Sequence, residues 1–404
     1  MLIDRRGLLI TSAAAGASLM ASGRAFALPT TNARLLVVFL RGAYDAANII
    51  IPTSSDFYYQ ARPTIAIAKP DPANPKAALP LDADWSLHPA LADSIYPLWQ
   101  KRQVAFVPFA GTDDMSRSHF ETQDTIELGQ PIAGSRDYRS GFMGRLVNVL
   151  GGSAPMAFTN QVPIIFHGAN SPVPNLAISS VGKPTFDARQ QAIIEAMYRA
   201  PAAQAIAPAV SVQQGFDVRA EAFKSIQEEM SQAGRGAVTA KGFELQSRRI
   251  AALMRDKFNV AFLDVGGWDT HTNQGGADGQ LAGKIAELGR GLAAFAQESG
   301  PNWAHTTVVV ISEFGRTFRE NGDRGTDHGH GSVYWVLGGG VKGGRVVGEQ
   351  VRITPETLNQ QRDLPVLNDY RALLGDVVDR LYGLSSDRLN ILFPQVQPRR
   401  FDLV

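Results

Sequence analysis

Three short clusters in the last third of the chain carry side chains that bind metal ions or move protons. Gly266-Gly267-Trp268-Asp269-Thr270-His271 places a carboxylate and an imidazole two residues apart. In an extended segment they point the same way and can share one ion. The plain alternative is a polar turn with a satisfied histidine. Ser312-Glu313-Phe314-Gly315-Arg316 sets a carboxylate three residues before an arginine. Those types suit a metal ligand beside an anion clamp; the plain alternative is a surface ion pair worth at most about 1 kcal/mol. Gly325-Thr326-Asp327-His328-Gly329-His330-Gly331 holds one carboxylate and two imidazoles among glycines. Imidazole with carboxylate suits zinc, manganese or iron.

Two further clusters lie upstream. Ser118 and Glu121 in Ser116-Arg117-Ser118-His119-Phe120-Glu121 have capping-box spacing at the start of a helix. The same geometry brings a serine to backbone N–H groups that favour anions. Beside a metal, Ser118 can lose its proton and attack phosphorus or sulfur. In Arg41-Gly42-Ala43-Tyr44-Asp45, Asp45 is a candidate ligand and Arg41 a candidate anion clamp. Five of the seven histidines fall in polar motifs: His88, His119, His271, His328 and His330.

The elements that position these clusters are legible as patterns. Arg34 to Leu40, Val104 to Phe109, Asn259 to Val265, Thr306 to Ile311 and Val333 to Leu337 are apolar runs that predict buried strands. Thr64 to Ala68 and Val162 to Phe166 predict shorter strands, and Asn48 to Ile51 a continuation of the first. Helices are predicted over 88–102, 119–128, 142–150, 281–297 and 366–382. Strand, helix, strand at this spacing predicts an α/β fold, a mostly parallel sheet flanked by helices. A helical insertion is expected at about 185–256. Ligands in such sheets bind beyond the carboxyl ends of strands, where three of the polar clusters fall.

The chain has 404 residues, 39 basic and 38 acidic side chains, and no cysteine. The absence of cysteine excludes disulfides, thiolate metal sites and cysteine nucleophiles. A net charge of +1 argues against nucleic-acid binding through bulk positive charge. Arg5-Arg6, the mildly apolar stretch Leu8 to Met20 and the small-x-small Ala25-Phe26-Ala27 read as a twin-arginine signal peptide over 1–27. The mature domain is then 28–404, periplasmic or secreted. No later stretch reaches about 18 uninterrupted apolar residues, so no transmembrane segment is expected after signal removal. Gly338, Gly340 and Gly343 match a dinucleotide fingerprint, but Arg345 to Ile353 looks extended where that fingerprint needs a helix.

The segments GGWDTHTNQ (266–274), SEFGRT (312–317) and GTDHGHG (325–331), after FLRGAYDAANIIIP (39–52) and SRSHFETQD (116–124), resemble the bacterial "domain of unknown function 1501" family. That family is grouped by similarity with the alkaline phosphatase-like hydrolases, which include phosphatases and sulfatases. The resemblance implies an alkaline phosphatase-like fold. It implies a metal set drawn from Asp45, Asp269, His271, Glu313, Asp327, His328 and His330, holding one or two divalent ions, zinc or manganese. Phe314 stands where the superfamily has a ligating histidine, and Arg41 where it has a first-strand aspartate. The nucleophile falls near Ser116 or Ser118, and a cysteine-derived formylglycine is excluded. The implied activity is exported, metal-dependent hydrolysis of a phosphate or sulfate ester, with Ser118 or water attacking and Arg41 or Arg316 clamping the anion. The alternative is a non-catalytic envelope protein that keeps the fold and a metal for stability or for an envelope protein partner.

Overall fold

Runs rich in Val, Ile, Leu and Phe become strands buried on both faces. The computed structural model describes residues 32–176, 238–239 and 242–404. The expected signal peptide and the expected insertion up to 237 lie outside the described residues. The first strands are β1 (Arg34–Leu40), β2 (Ile50–Ile51), β3 (Leu79–Pro80), β4 (Ser86–Leu87), β5 (Val104–Gly111) and β6 (Pro155–Phe158). There follow β7 (Val238–Thr239), β8 (Val260–Gly266), β9 (Thr306–Ser312), β10 (Ser332–Gly338), β11 (Arg345–Val346) and β12 (Asn368–Asp369). Helices α1 (Asp56–Ala61), α2 (Ile95–Gln100), α3 (His119–Leu128) and α4 (Phe142–Leu150) precede the last strands. They are followed by α5 (Phe243–Asp256), α6 (Gln280–Ser299), α7 (Tyr370–Tyr382) and α8 (Ser386–Leu392).

Among the described residues the main sheet runs β11-β5-β10-β9-β1-β8-β6, with β12 on β5 and β7 on β8. Central β1 is parallel to both β8 and β9, and β10 runs antiparallel to β5 and β9. The sheet is therefore mostly parallel, as expected. Alternate residues of β1 serve two cores, because successive side chains point to opposite faces. Leu36, Val38 and Leu40 pack with Ile95 of α2, Phe243 and Ile250 of α5 and Ile285 and Leu292 of α6. Leu35, Val37 and Phe39 pack with Ile126 of α3, Leu146 of α4 and Leu373 and Val377 of α7. Both faces are covered, which is the condition for a largely parallel sheet.

Register brings the polar clusters together. Leu40 pairs with Val265 on one side and Ser312 on the other. The segments that follow β1, β8 and β9 therefore leave one sheet edge as neighbours. Helix α3 starts where its cap predicts: Ser118 Oγ accepts from Glu121 N at 3.5 Å, and Gly129 closes the helix at φ +61°.

Several local expectations do not hold. Residues 64–68 form turn and irregular chain. Asn48 ends a 3-10 turn, and Ile50–Ile51 joins a separate three-stranded sheet with β4 and β3. The predicted helix over 88–102 splits into a 3-10 turn at Pro89–Leu91 and α2. Ile164–Phe166 is a 3-10 turn after Pro163, not a strand. Helix α7 starts only at Tyr370, where Asp369 accepts from Arg371 N at 2.7 Å. The extended Arg345–Val346 confirms that no dinucleotide-binding helix follows Gly343.

Fully buried His88 fastens the chain that leads from β8 to α6. Its Nδ1 accepts from Ala90 N at 3.0 Å and its Nε2–H donates to Gly276 O at 3.1 Å. Burial holds its pKa down to about 4, so the ring is neutral in the fold. The unfolded value is about 6.5, so the unfolded chain binds the extra proton first as pH falls. Urea unfolding across pH should show His88's contribution fully present above about 6.5 and lost towards pH 4, a decline on the order of 3 kcal/mol. A His88→Gln variant should lack that slope; an unchanged slope would refute the assignment.

Candidate metal centre

Three imidazoles meet at the sheet edge. His119 is the first residue of α3, His271 follows β8, and His328 lies in the glycine-rich loop before β10. The Nε2 atoms of His119 and His328 are 3.0 Å apart, and those of His271 and His328 are 3.2 Å apart. Asp269 closes the group. Its Oδ1 lies 2.9 Å from His271 Nε2 and 3.4 Å from His328 Nε2, and its Oδ2 lies 3.6 Å from His119 Nε2. One ligand atom from each of His119, Asp269 and His328 lies within 4.8 Å of the others.

The far sides of the rings fix what the near sides can do. His119 Nδ1–H donates to Glu313 Oε1 at 2.9 Å, and His271 Nδ1–H to Asp327 Oδ1 at 3.1 Å. His328 Nδ1–H donates to the Arg117 carbonyl at 3.1 Å. Each neutral ring therefore carries its proton on Nδ1, and the Nε2 lone pairs of His119 and His271 each face that of His328. Facing lone pairs repel unless a cation lies between them. Nitrogens on one tetrahedral zinc are held about 3.3 Å apart, close to both separations seen here. The donor set fits a divalent metal, with outer carboxylates and a carbonyl orienting the rings as metal sites require.

Charge agrees with geometry. Glu127, Asp264, Glu313 and Asp269 are four buried carboxylates around this centre, and Arg41 and Arg316 are the buried guanidinium groups that touch them. Buried carboxylates thus outnumber the guanidinium groups, although burial raises the pKa of Asp264 against the pull of Arg41, and a divalent cation would offset the excess. Without it, protons take that place. Burial alone lowers the pKa of His119, but its bonds to Asp269 and Glu313 outweigh burial and raise it to about 9. The bond to Asp269 likewise raises that of His271. Burial works against ionised Glu313, yet its bonds to His119 and Gln123 hold its pKa down to about 2. Asp269 is held far below the usual carboxylate range, because three imidazole bonds and Arg316 overcome its burial.

The glycines of the 325–331 loop permit this approach. A Cβ on Gly329 would lie 2.4 Å from the Arg316 carbonyl carbon, and one on Gly325 would lie 2.1 Å from His271 O. Phe314 does not ligate; its ring packs against His119 and His328 with centroids 4.9 and 5.4 Å away. It forms the apolar wall of the centre.

The structure brings together four sequence-expected residues, Asp269, His271, His328 and Arg316, and distributes the others. Glu313 stands behind His119 rather than among the converging atoms. Its Oε1 also accepts from Gly42 N at 2.7 Å and Gln123 Nε2 at 2.9 Å. Asp327 likewise stands behind His271. Asp45 is held by Arg62 at 2.5 and 3.0 Å and by Gln274 at 2.6 Å. Gln274 in turn accepts from Thr270 and Thr326, tying Asp45 to the two ligand loops. Buried His330 lies in the fields of Arg117, Asp113 and Asp114. Arg41 donates to Asp264, Gln123 and Glu127 at 2.7 to 2.9 Å. Arg316 donates to Asp269 and to Thr326. Neither arginine faces outward as an anion clamp. Ser118 caps α3 beside His119. His119 itself was missed as a donor. The signal was its spacing to Gln123, four residues on, which puts both on one helix face, here the face that meets Glu313.

The family model described as "Protein of unknown function (DUF1501)" matches residues 32–392. The chain belongs to that family. The motifs that suggested the DUF1501 family are those that build the centre. No curated protein matches the chain. Among solved structures, it is similar to a protein in the alkaline phosphatase superfamily from Vibrio parahaemolyticus. Identity is 10%, TM-score 0.40, and the match covers 88% of this chain and 67% of that one. It is also similar to Ps i-CgsB, in complex with k-i-k-neocarrahexaose, at 10% identity and TM-score 0.35, covering 88% of this chain and 73% of that one.

Two outcomes follow from the contacts. Glu313→Gln keeps the shape behind His119 but removes the charge, so metal affinity by chelator competition should fall about 10- to 100-fold with the fold intact. Equal affinity would show that Glu313 does not orient the ligand. Arg62→Met leaves Asp45 buried and unpaired, so urea unfolding should show a loss of about 3–5 kcal/mol.

Proposed function

We propose that this chain is an exported, metal-dependent hydrolase of phosphate or sulfate esters with one ion per chain. The observation that carries the reading is the convergence of three Nε2 lone pairs and Asp269 at the carboxyl edge of a mostly parallel sheet. The centre has a closed side and an open side. The side chains of His119 and Asp269 are 3% and 4% exposed, whereas those of His271 and His328 are 29% and 22% exposed. Structural zinc sites are closed, and catalytic ones keep a position open. Three imidazole donors favour zinc over manganese. Two further carboxylate clusters are filled by guanidinium and leave no place for a second ion: Arg41 lies between Asp264 and Glu127, and Arg62 against Asp45.

His119, His271, His328 and Asp269 would hold a divalent ion, which would supply Lewis acidity towards an ester oxygen. The chain's own groups do the rest. Glu313, Asp327 and the Arg117 carbonyl keep the Nδ1 protons in place. Arg316 keeps Asp269 ionised and aimed. Phe314 excludes water from one wall. The start of α3 presents a positive helix end to an anion. Ser118 lies at that end, and we assign its Oγ the attack on phosphorus or sulfur, which forms the serine ester, breaks the bond to the leaving alkoxide and passes the hydroxyl proton to that alkoxide through water.

One observation favours a second reading, a non-catalytic envelope protein that keeps the metal for stability or for a partner: Arg41 and Arg316 are both consumed inside the protein. The test is metal content and ester turnover on the full chain. One ion per chain, with metal-dependent turnover of p-nitrophenyl phosphate or sulfate, supports the hydrolase. One ion, a chelator-induced fall in Tm and no turnover of either ester supports the second reading. His328→Ala should lose the ion and turnover together. Ser118→Ala should lose turnover with metal content unchanged; retained turnover would move the attack to water.

A further inference from the structure

We propose that Lys284 is the anion-binding residue of this centre, its ammonium group receiving the negatively charged group of the substrate. The inference rests on the hydrolase reading and names the residue that selects its substrate.

An anionic ester approaching the centre needs positive charge beyond that of the ion. Arg41 and Arg316 are bonded to internal carboxylates and cannot turn outward without stranding them. Arg117, whose carbonyl holds His328, is bonded through Nε and Nη2 to Asp363 at 2.9 and 2.7 Å. Lys284 differs from all three. It is half-buried on α6, the helix that follows the Asp269–His271 loop. Its Nζ donates to the carbonyl of Gly267, two residues before Asp269. A Cβ built on Gly267 would lie 3.6 Å from that Nζ, so the ammonium lies over the backbone that leads into the centre.

Among the described residues no carboxylate reaches Lys284 as an ion-pair partner. Asp269 is the one acid whose charge acts on it, and burial pushes its pKa down. Two costs therefore coincide. The cation is partly desolvated. It lacks a counter-ion. Lys69, Lys76 and Lys342 do not carry those costs: they are exposed and paired with Asp56, Asp278 and Asp402. An ammonium has three donors, and the carbonyl of Gly267 takes one. An oxyanion at the open side of the centre would accept the others and supply the missing counter-ion.

The experiment uses the full chain loaded with zinc and titrated with inorganic phosphate and with sulfate in a calorimeter. Wild type, Lys284→Met and Lys284→Arg are compared, with zinc affinity measured by chelator competition in each. The expected result is phosphate binding about tenfold weaker in Lys284→Met, largely restored in Lys284→Arg, with zinc affinity unchanged. Unchanged phosphate and sulfate binding in Lys284→Met overturns the proposal. So does a wild-type protein that holds zinc and binds neither anion. Turnover of p-nitrophenyl acetate separates the two readings. Zinc-dependent cleavage of that neutral ester without anion binding overturns the role of Lys284 and keeps a hydrolase. Lysine-dependent phosphate binding without turnover of any ester supports Lys284 and overturns the hydrolase.

Discussion

The arrangement of this protein's interior follows from one electrostatic constraint. Three imidazoles meet with their Nε2 atoms beside a carboxylate, inside a shell in which buried carboxylates outnumber guanidinium groups. Neither feature is stable alone in a low-dielectric interior, where an unpaired ion costs several kcal/mol. Both are relieved by one cation at one point. The neighbours of that point are explained by what they do for it. Glu313 and Asp327 hold ring protons on the outside, Arg316 holds Asp269, and Phe314 closes a wall. The raised pKa values of His119 and His271 are the same constraint met by protons instead of an ion.

That constraint reaches far into the packing. Arg41 leaves the central strand and bonds to Asp264 on β8 and to Gln123 and Glu127 on α3. It therefore joins the sheet to the helix that carries His119. On the opposite side, Arg62 donates to the carbonyls of Thr317 and Phe318 as well as to Asp45. Asp45 continues through Gln274 to Thr270 and Thr326. The ligand loops are thus fastened from beneath by two guanidinium clusters rather than by packing alone. Such clusters give little net stability against hydrophobic replacement. Their use here is to fix direction: a saturated guanidinium fork allows one arrangement of its acceptors.

The sequence made legible what depends on periodicity and what it could not show depends on partners. Long apolar runs became strands because burial on both faces needs nothing more specific. Helices α3 and α4 began and ended where their caps and closing glycines stand. Short segments failed where the decisive term was tertiary. Thr64 to Ala68 has strand-like residues and no strand to pair with. Pro155 to Phe158 falls outside every strand expected from the sequence and is a strand because β8 offers it an edge. At the centre, residue types were legible and their directions were not. Glu313 and Asp327 have the chemistry of ligands, but each is turned to the back of a histidine. Arg41 and Arg316 have the chemistry of anion clamps, but buried carboxylates claim them first. His119 was hidden behind Ser118, whose capping role explained the motif well enough that its neighbour went unweighed.

The two accounts of this centre differ in what they require of its outer face. A metal held only for stability gains from four inward donors and from exclusion of solvent, since any exposed coordination weakens the ion's hold on the fold. The chain does not build that. It encloses His119 and Asp269 and leaves His271 and His328 reachable from solvent, on loops rather than on the sheet. It also places a half-buried ammonium without a carboxylate partner over the backbone leading to Asp269. An open face and an uncompensated cation both cost stability, and neither helps to hold an ion. They are explained together if an anionic molecule completes the site from outside, which is the arrangement a hydrolase of charged esters needs and a structural metal does not.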